Sequence, residues 1–308
     1  MYDLIGDIHG HAEALKSLLF KMDYREKEGV WQHASRKAIF VGDYIDRGPA
    51  IRETLQIVRS MQEKGNAIAL IGNHEYNALA YAYVLPDGSC LRRHYDIHNH
   101  QHEQTLLQFK DYPGEWRSYL EWFYTLPLFL ELPELRAVHA CWDDAHIEWL
   151  RSNNFERLTE DLLISSHDKG SYAHRVIEEV LKGKEFNIPA QYAWQDKDGH
   201  QRTANRLRWW KDPNLASYGE FLFNCPPALL DRMADNTIRY VVYPKEAKPV
   251  FFGHYWMEDT FPVIQAGNVV CLDYSIAKEG HLVAYRWTGE QVLNNSHFVA
   301  IRYKELTE

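Results

Sequence analysis

Three features of the chain predict an α/β fold. A unit of buried strand, polar turn and amphipathic helix recurs three times in the N-terminal part, and core strands return toward the C-terminus. An apolar content of 45%, with 14% aromatic residues, is enough for a sizeable core. No shift in composition across the 308 residues forces two cores, so one elaborated domain spanning 1–308 is expected.

The first unit places a buried strand at Tyr2-Asp3-Leu4-Ile5, a tight turn at Gly6-Asp7-Ile8-His9-Gly10, and a helix with Ala12, Leu15, Leu18 and Leu19 on one face. In the second, the strand Ala38-Ile39-Phe40-Val41 ends in Gly42-Asp43, and the helix after Pro49 carries Ile51, Leu55, Val58 and Met61 at helical spacing. The third runs from Ala67-Ile68-Ala69-Leu70-Ile71 into Gly72-Asn73-His74-Glu75 and a helical start through Asn77, Ala78 and Ala80. Ligands bind beyond the carboxyl ends of strands in such sheets, so the three polar clusters are expected to converge.

Residues 83–122 are polar and histidine-rich, with one helix expected around 105–109, and read as an insertion over the site. His94, His98, His100 and His102 read as a solvated loop in preference to an additional metal site. A strand resumes at Arg136-Ala137-Val138-His139-Ala140. Residues 150–240 hold an amphipathic helix around 173–181 and a hairpin turning at Asp196-Lys197-Asp198-Gly199, and read as a cap or lid. Cap insertions are therefore expected at 85–125 and 150–240. Core strands return at Pro249-Val250-Phe251-Phe252-Gly253-His254, Val269-Val270-Cys271-Leu272-Asp273 and His281-Leu282-Val283-Ala284-Tyr285-Arg286.

Composition narrows the function. Cys90, Cys141, Cys225 and Cys271 lie far apart, which argues for reduced thiols and against a thiolate zinc site or disulfide framework. A formal charge of −9 disfavours duplex nucleic acid as a partner. The opening residues lack the pattern of a signal peptide, and the apolar run 126–132, broken by Pro127 and Glu131, is too short for a bilayer. A cytoplasmic protein without membrane contact is expected.

The chemistry is carried by the strand-end clusters. Asp7 and His9 can aim a carboxylate and an imidazole at one metal ion, Asp43 has two oxygens with which to bridge two ions, and Asn73, His139 and His254 offer a second ligand set. The mixed oxygen and nitrogen shell suits two divalent ions, manganese first, with iron or zinc as alternatives. Ions roughly 3.5–4 Å apart would lower the pKa of a bridging water and stabilise the displaced group. His74 would protonate the leaving oxygen, Asp46 would orient its ring, and Arg47 would clamp phosphate.

Gly6-Asp7-Ile8-His9-Gly10, Gly42-Asp43-Tyr44-Ile45-Asp46-Arg47-Gly48 and Gly72-Asn73-His74-Glu75, followed by Val138-His139-Ala140 and Phe252-Gly253-His254, resemble the motifs of calcineurin-like metallophosphoesterases. The resemblance is strongest to the phosphoprotein-phosphatase branch and its bacterial diadenosine-tetraphosphatase-like relatives. It implies a two-sheet β-sandwich flanked by helices with the metal centre at its edge, and it covers the core but neither insertion. Two departures stand out: Ile71 occupies a position where the eukaryotic-type enzymes usually have arginine, and Ala140-Cys141 replace glycines after the histidine.

Arg206 and Arg208, beside Trp209 and Trp210, are candidates for the missing clamp or for stacking on a base; the alternative is a basic hairpin packed on the core. Asp273 is a candidate for support behind a metal-bound histidine, or a buried capping residue. The expected function is hydrolysis of a phosphomonoester on a phosphoprotein, of the serine/threonine type. A dinucleoside polyphosphate or other nucleotide is the alternative substrate, and a phosphate- or partner-binding module the non-enzyme alternative.

Overall fold

Strands Tyr2–Ile5, Lys37–Phe40 and Ala67–Ala69 pair in parallel, so that Leu4, Ile39 and Ile68 line up across one face. The computed structural model describes residues 1–188, 190–195, 201–233 and 240–306. His281–Trp287 adds antiparallel to Tyr2–Ile5 and carries Asp273–Tyr274 and Phe298–Arg302 on its other edge, giving a six-stranded mixed sheet. A second sheet has the order Val269–Cys271, Val250–Phe252, Arg136–Val138, Phe129–Glu131, with the first three parallel.

Period-two alternation sorts the side chains between two cores. Leu4, Ile39 and Tyr285 from the first sheet meet Ala137, Phe251 and Val270 from the second, which makes the sheets a sandwich. Their neighbours Ile5, Phe40, Val138 and Phe252 turn outward into a larger cluster under the helices. Helices α1 (Ala12–Lys21) and α2 (Ile51–Glu63) bury the faces that their spacing predicts, Leu15, Leu18 and Leu19 on one and Leu55, Val58 and Met61 on the other.

The insertions differ in part from expectation. Helix α3 (Asn73–Ala82) follows the third strand, and residues 85–125 then form two helices, α4 (Asp96–Phe109) and α5 (Pro113–Phe123), where one short helix was expected. His98, His100 and His102 therefore sit on a helix, which corrects the loop reading for these three, while His94 lies in the exposed segment before it, as expected, and stacks on Tyr81 with centroids 3.6 Å apart. Alternating polar residues hid α4, because only His102, Thr105 and Phe109 of it are buried.

Beyond them the helix Tyr172–Lys182 matches its expected position. Trp194–Gln195 and Gln201–Arg202 pair antiparallel, and the expected turn at Asp196-Lys197-Asp198-Gly199 lies outside the described residues. Ile188, Leu207, Phe221 and Leu222 form a small separate core in this region. Among the described residues no helix is long and apolar enough to cross a membrane.

Candidate metal centre

The three parallel strands end at the same edge of the sandwich, and their turns bring Asp7, His9, Asp43, Asp46, Asn73 and His74 together, all buried. The second sheet delivers His139 and His254 to the same place from the ends of Arg136–Val138 and Val250–Phe252. His9, Asp43, Asp46, Arg47 and His254 all have φ between 47° and 67°, the left-handed region that is sparsely used outside glycine. Such strain persists where surrounding contacts over-determine the backbone, and here it turns side chains back across the strand ends.

Asp43 is the centre of the arrangement. Its Oδ2 lies 3.6 Å from His9 Nε2 and 3.9 Å from His74 Nε2, while Oδ1 lies 3.4 Å from His139 Nε2. Each carboxylate oxygen therefore faces a different set of nitrogens. Two groups that could hold a cation, His9 with Asp43 and His74, and Asp43 with His139 and His254, share this residue.

The atoms left without partners test whether the side chains suit metal ions. His9 Nδ1 donates to the Ile45 carbonyl at 2.9 Å and His139 Nδ1 to the Val41 carbonyl at 2.8 Å, which leaves each Nε2 turned into the site. His139 Nε2 then stands 2.9 Å from Asn73 Oδ1, lone pair against lone pair unless a proton or cation lies between them. Asp7 Oδ1, His9 Nε2 and His254 Nε2 are buried without a hydrogen-bond partner. Buried polar atoms are rarely left so, and a mixed O/N donor set with backbone carbonyls fixing the imidazoles fits divalent cations.

The electrostatics agree. Burial, then Asp273 and Asp43, push the Asp7 carboxyl well above its ordinary range. Burial and the neighbouring His74 hold His9 down to about 3, and burial with Arg206 holds His254 well below the usual imidazole range. Against burial, Asp43 raises the pKa of His139 and the histidines lower that of Asp43, so the groups that added positive charge relieves are the low His9 and His254 and the raised Asp7.

Beside this cluster lies a proton-transfer pair. His74 Nδ1 is 2.5 Å from Asp46 Oδ2. Burial opposes the charged ring, but Asp43 and Asp46 together raise the His74 pKa. Burial likewise opposes the Asp46 carboxylate, and hydrogen bonds from His102 and His74 outweigh it, so its pKa is lowered. Arg47 is exposed at the mouth, with its guanidinium 4.6 Å from the Trp256 ring.

Of the two cap arginines, only Arg206 reaches the site, donating to the His254 carbonyl at 3.2 Å. Arg208 donates to the Gly219 and Glu220 carbonyls, away from the cluster. Trp209 and Trp210 are buried against Phe252, which removes them as a stacking platform for a base. Asp273 accepts from Trp256 N–H at 2.8 Å and Ser275 N–H at 3.0 Å, a buried cap next to Asp7.

Sequence expectations omit Glu75, His102 and Thr105 as parts of the site. The Glu75 carboxylate accepts from the N–H groups of Gly72, Asp43, Tyr44 and Ile45, tying the second motif to the third. His102 and Thr105 both bond Asp46 Oδ1. Glu75 is visible in its motif; nothing local marks the other two. A third acidic and imidazole group, Asp143, His146 and Glu179, already contains the ammonium of Lys184 bonded to Asp143, so its cation is built in.

Residues 2–255 match the family described as calcineurin-like phosphoesterase. An Oceanobacillus iheyensis protein named bis(5'-nucleosyl)-tetraphosphatase PrpE [asymmetrical] is 31% identical over 139 residues, covering 45% of this chain and 54% of that protein. The Bacillus subtilis protein of the same name is 40% identical over 74 residues, covering 24% and 30%. The chain thus spans about half or less of the length of these curated relatives.

Among solved structures, a protein serine/threonine phosphatase from Saccharomyces cerevisiae superposes with a TM-score of 0.49 at 13% identity, covering 97% of this chain and 78% of that one. A cold-active protein-tyrosine phosphatase from a Shewanella species gives 0.44 at 17% identity, covering 99% and 78%.

Proposed function

This chain belongs to the calcineurin-like phosphoesterase family, and we propose that it hydrolyses phosphoryl bonds at the site centred on Asp43, with the phosphoanhydride of dinucleoside polyphosphates as the first substrate class and phosphate monoesters as the second. The observation that carries the reading is the buried Asp43 carboxylate, one oxygen facing His9 and His74 and the other facing His139. Asp7, His9, Asp43, Asn73, His139 and His254 would hold two divalent ions, manganese first. Such ions, when bound, supply Lewis acidity to phosphoryl oxygens and lower the pKa of water.

The remaining work falls to side chains of the chain itself. Nδ1 of His74 carries the proton that bonds Asp46, so the proton available to a leaving oxygen is on Nε2, the atom turned toward Asp43. Asp46 fixes the ring and stabilises its charged form. Arg47 presents a planar, five-donor fork at the exposed edge, suited to two phosphoryl oxygens at once. Arg206, beside His254, supplies a second cation where Ile71 offers none.

The names of the relatives favour the nucleotide reading. The phosphoprotein reading, first on the sequence alone, rests on the likeness of the three motifs at Gly6–Gly10, Gly42–Gly48 and Gly72–Glu75 and becomes the second candidate. Hydrolysis of diadenosine tetraphosphate, followed through its mononucleotide products because every phosphate in it lies between two nucleosides, and phosphate release from a phosphopeptide panel and a simple aryl phosphate, all with manganese added after chelation, separate them. Turnover of the dinucleotide above the peptides is expected, and Asp43→Asn should abolish it. Phosphate binding without turnover of any of the three would replace the enzyme with a binding module.

A further inference from the structure

We propose that His102, with Thr105, is a positioning residue for leaving-group protonation: α4 presents both side chains to Asp46 Oδ1, so that Oδ2 alone is left to hold the His74 ring. The inference rests on the reading of His74 as the general acid.

His102 and Thr105 are three residues apart, hence on one face of α4. Thr105 Oγ1 donates to Asp46 Oδ1 at 2.6 Å and accepts from the Asp46 backbone N–H at 3.0 Å, so its only proton is committed. His102 Nδ1 lies 2.7 Å from the same oxygen and must carry the proton of that bond. Gln108, one turn further along, accepts from Ile51 N–H and donates to the Gly48 carbonyl. The insertion helix thus grips the loop of the second motif along its length, with the Asp46 carboxylate as the point of closest engagement.

An imidazole is a costly way to fill this position. His102 is buried against Tyr81 and Trp116, and its Nε2 has no hydrogen-bond partner. A leucine would pack there without stranding a polar atom. What only the histidine adds is a second donor to Oδ1, which pins the carboxylate rotamer and, with Thr105, favours its ionised form. Asp46 sits in left-handed backbone, φ 67°, where its side-chain direction depends on such anchors.

Protonation matters most when the leaving oxygen is a poor leaving group, so the test compares substrates. With manganese-loaded protein, His102→Ala should lower kcat on an alkyl phosphate by about ten- to a hundredfold and change turnover of p-nitrophenyl phosphate little. His102→Asn, whose amide N–H replaces the Nδ1 donor, should recover most of the loss, while manganese affinity stays as in the wild type. Thr105→Val removes the other donor and should give the same selectivity, which keeps the test open if His102→Ala does not fold.

An equal loss on both substrates, or no loss, would overturn the proposal. His74→Asn run in parallel separates the two levels. If it too lowers both substrates equally, the assignment of His74 as the acid fails and this inference falls with it. If only the His102 and Thr105 variants lack selectivity, the acid stands and the positioning role does not.

Discussion

Gly253 stands against Asp7 so closely that a Cβ at position 253 would lie 2.0 Å from Asp7 Oδ1, with Val41 Cγ2 at 3.0 Å. The Asp7 oxygen involved is the one without a hydrogen-bond partner. Gly253→Ala must therefore displace either the carboxylate or the turn that carries His254. Manganese affinity should fall on the order of ten- to a hundredfold, the range seen when the support of a ligand is disturbed. Calorimetric titration of the variant measures this, and an unchanged affinity would remove Asp7 from the ligand set.

Glu75 holds the centre from behind. Its two oxygens take the N–H groups of Gly72 and Asp43 on one side and those of Tyr44 and Ile45 on the other. Glu75→Gln keeps the shape but turns an NH2 toward one pair of donors. Leaving those buried donors unmet should cost about 1–3 kcal/mol. Urea melts of the two proteins report it, and phosphate release should fall because the Asp43 backbone hangs on this carboxylate. A more stable variant would mean that relief of the charge repulsion with Asp43 outweighs the lost acceptors.

The parts of the site that were legible in the sequence are local ones. Asp7, His9, Asp43, Asn73 and His74 follow short buried strands within glycine-bracketed turns, so strand periodicity and turn chemistry place them without tertiary information. His139 and His254 were found by order and by the strands before them. His102 was not, because its partner Asp46 is 56 residues away and α4 shows no clear apolar stripe. Trp209 and Trp210 are the converse case, open to two readings in the sequence, of which packing on the core is the one their burial supports. Adjacent arginines gave them the look of a binding surface, whereas both indoles fill space against Phe252.

Metal ions should stabilise the folded chain markedly. Asp7, Asp43, Glu75 and Asp273 are buried within one neighbourhood, and burial with mutual repulsion raises the pKa of Asp7 and Asp273. A ligand present at a hundred times its Kd adds about 2.7 kcal/mol per site. Thermal unfolding with manganese, compared with chelated protein, should therefore show a rise in Tm of several degrees, at roughly 2–4 °C per kcal/mol for chains approaching this size. Sodium at equal ionic strength should not reproduce it. Identical melting with and without manganese would argue that these carboxylates are structural.

Away from the centre, Glu131 on the edge strand Phe129–Glu131 accepts from Arg136 at 3.0 Å, Lys248 at 3.1 Å and Arg151 at 2.5 Å. Burial alone would raise its pKa, but Arg151, Lys248 and Arg136 together bring it from 4.5 down to about 2. A carboxylate whose folded pKa is depressed stabilises the fold fully above its unfolded value, and that contribution disappears as pH falls through the folded value. Because Arg151 and Lys248 are partly solvated, the contribution should be about 1 kcal/mol or less. Glu131→Gln should therefore lower the urea midpoint at pH 6–7 and match the wild type near pH 2, about the folded pKa. A deficit that stays constant across that range would assign the effect of Glu131 to packing and hydrogen-bond geometry instead of charge.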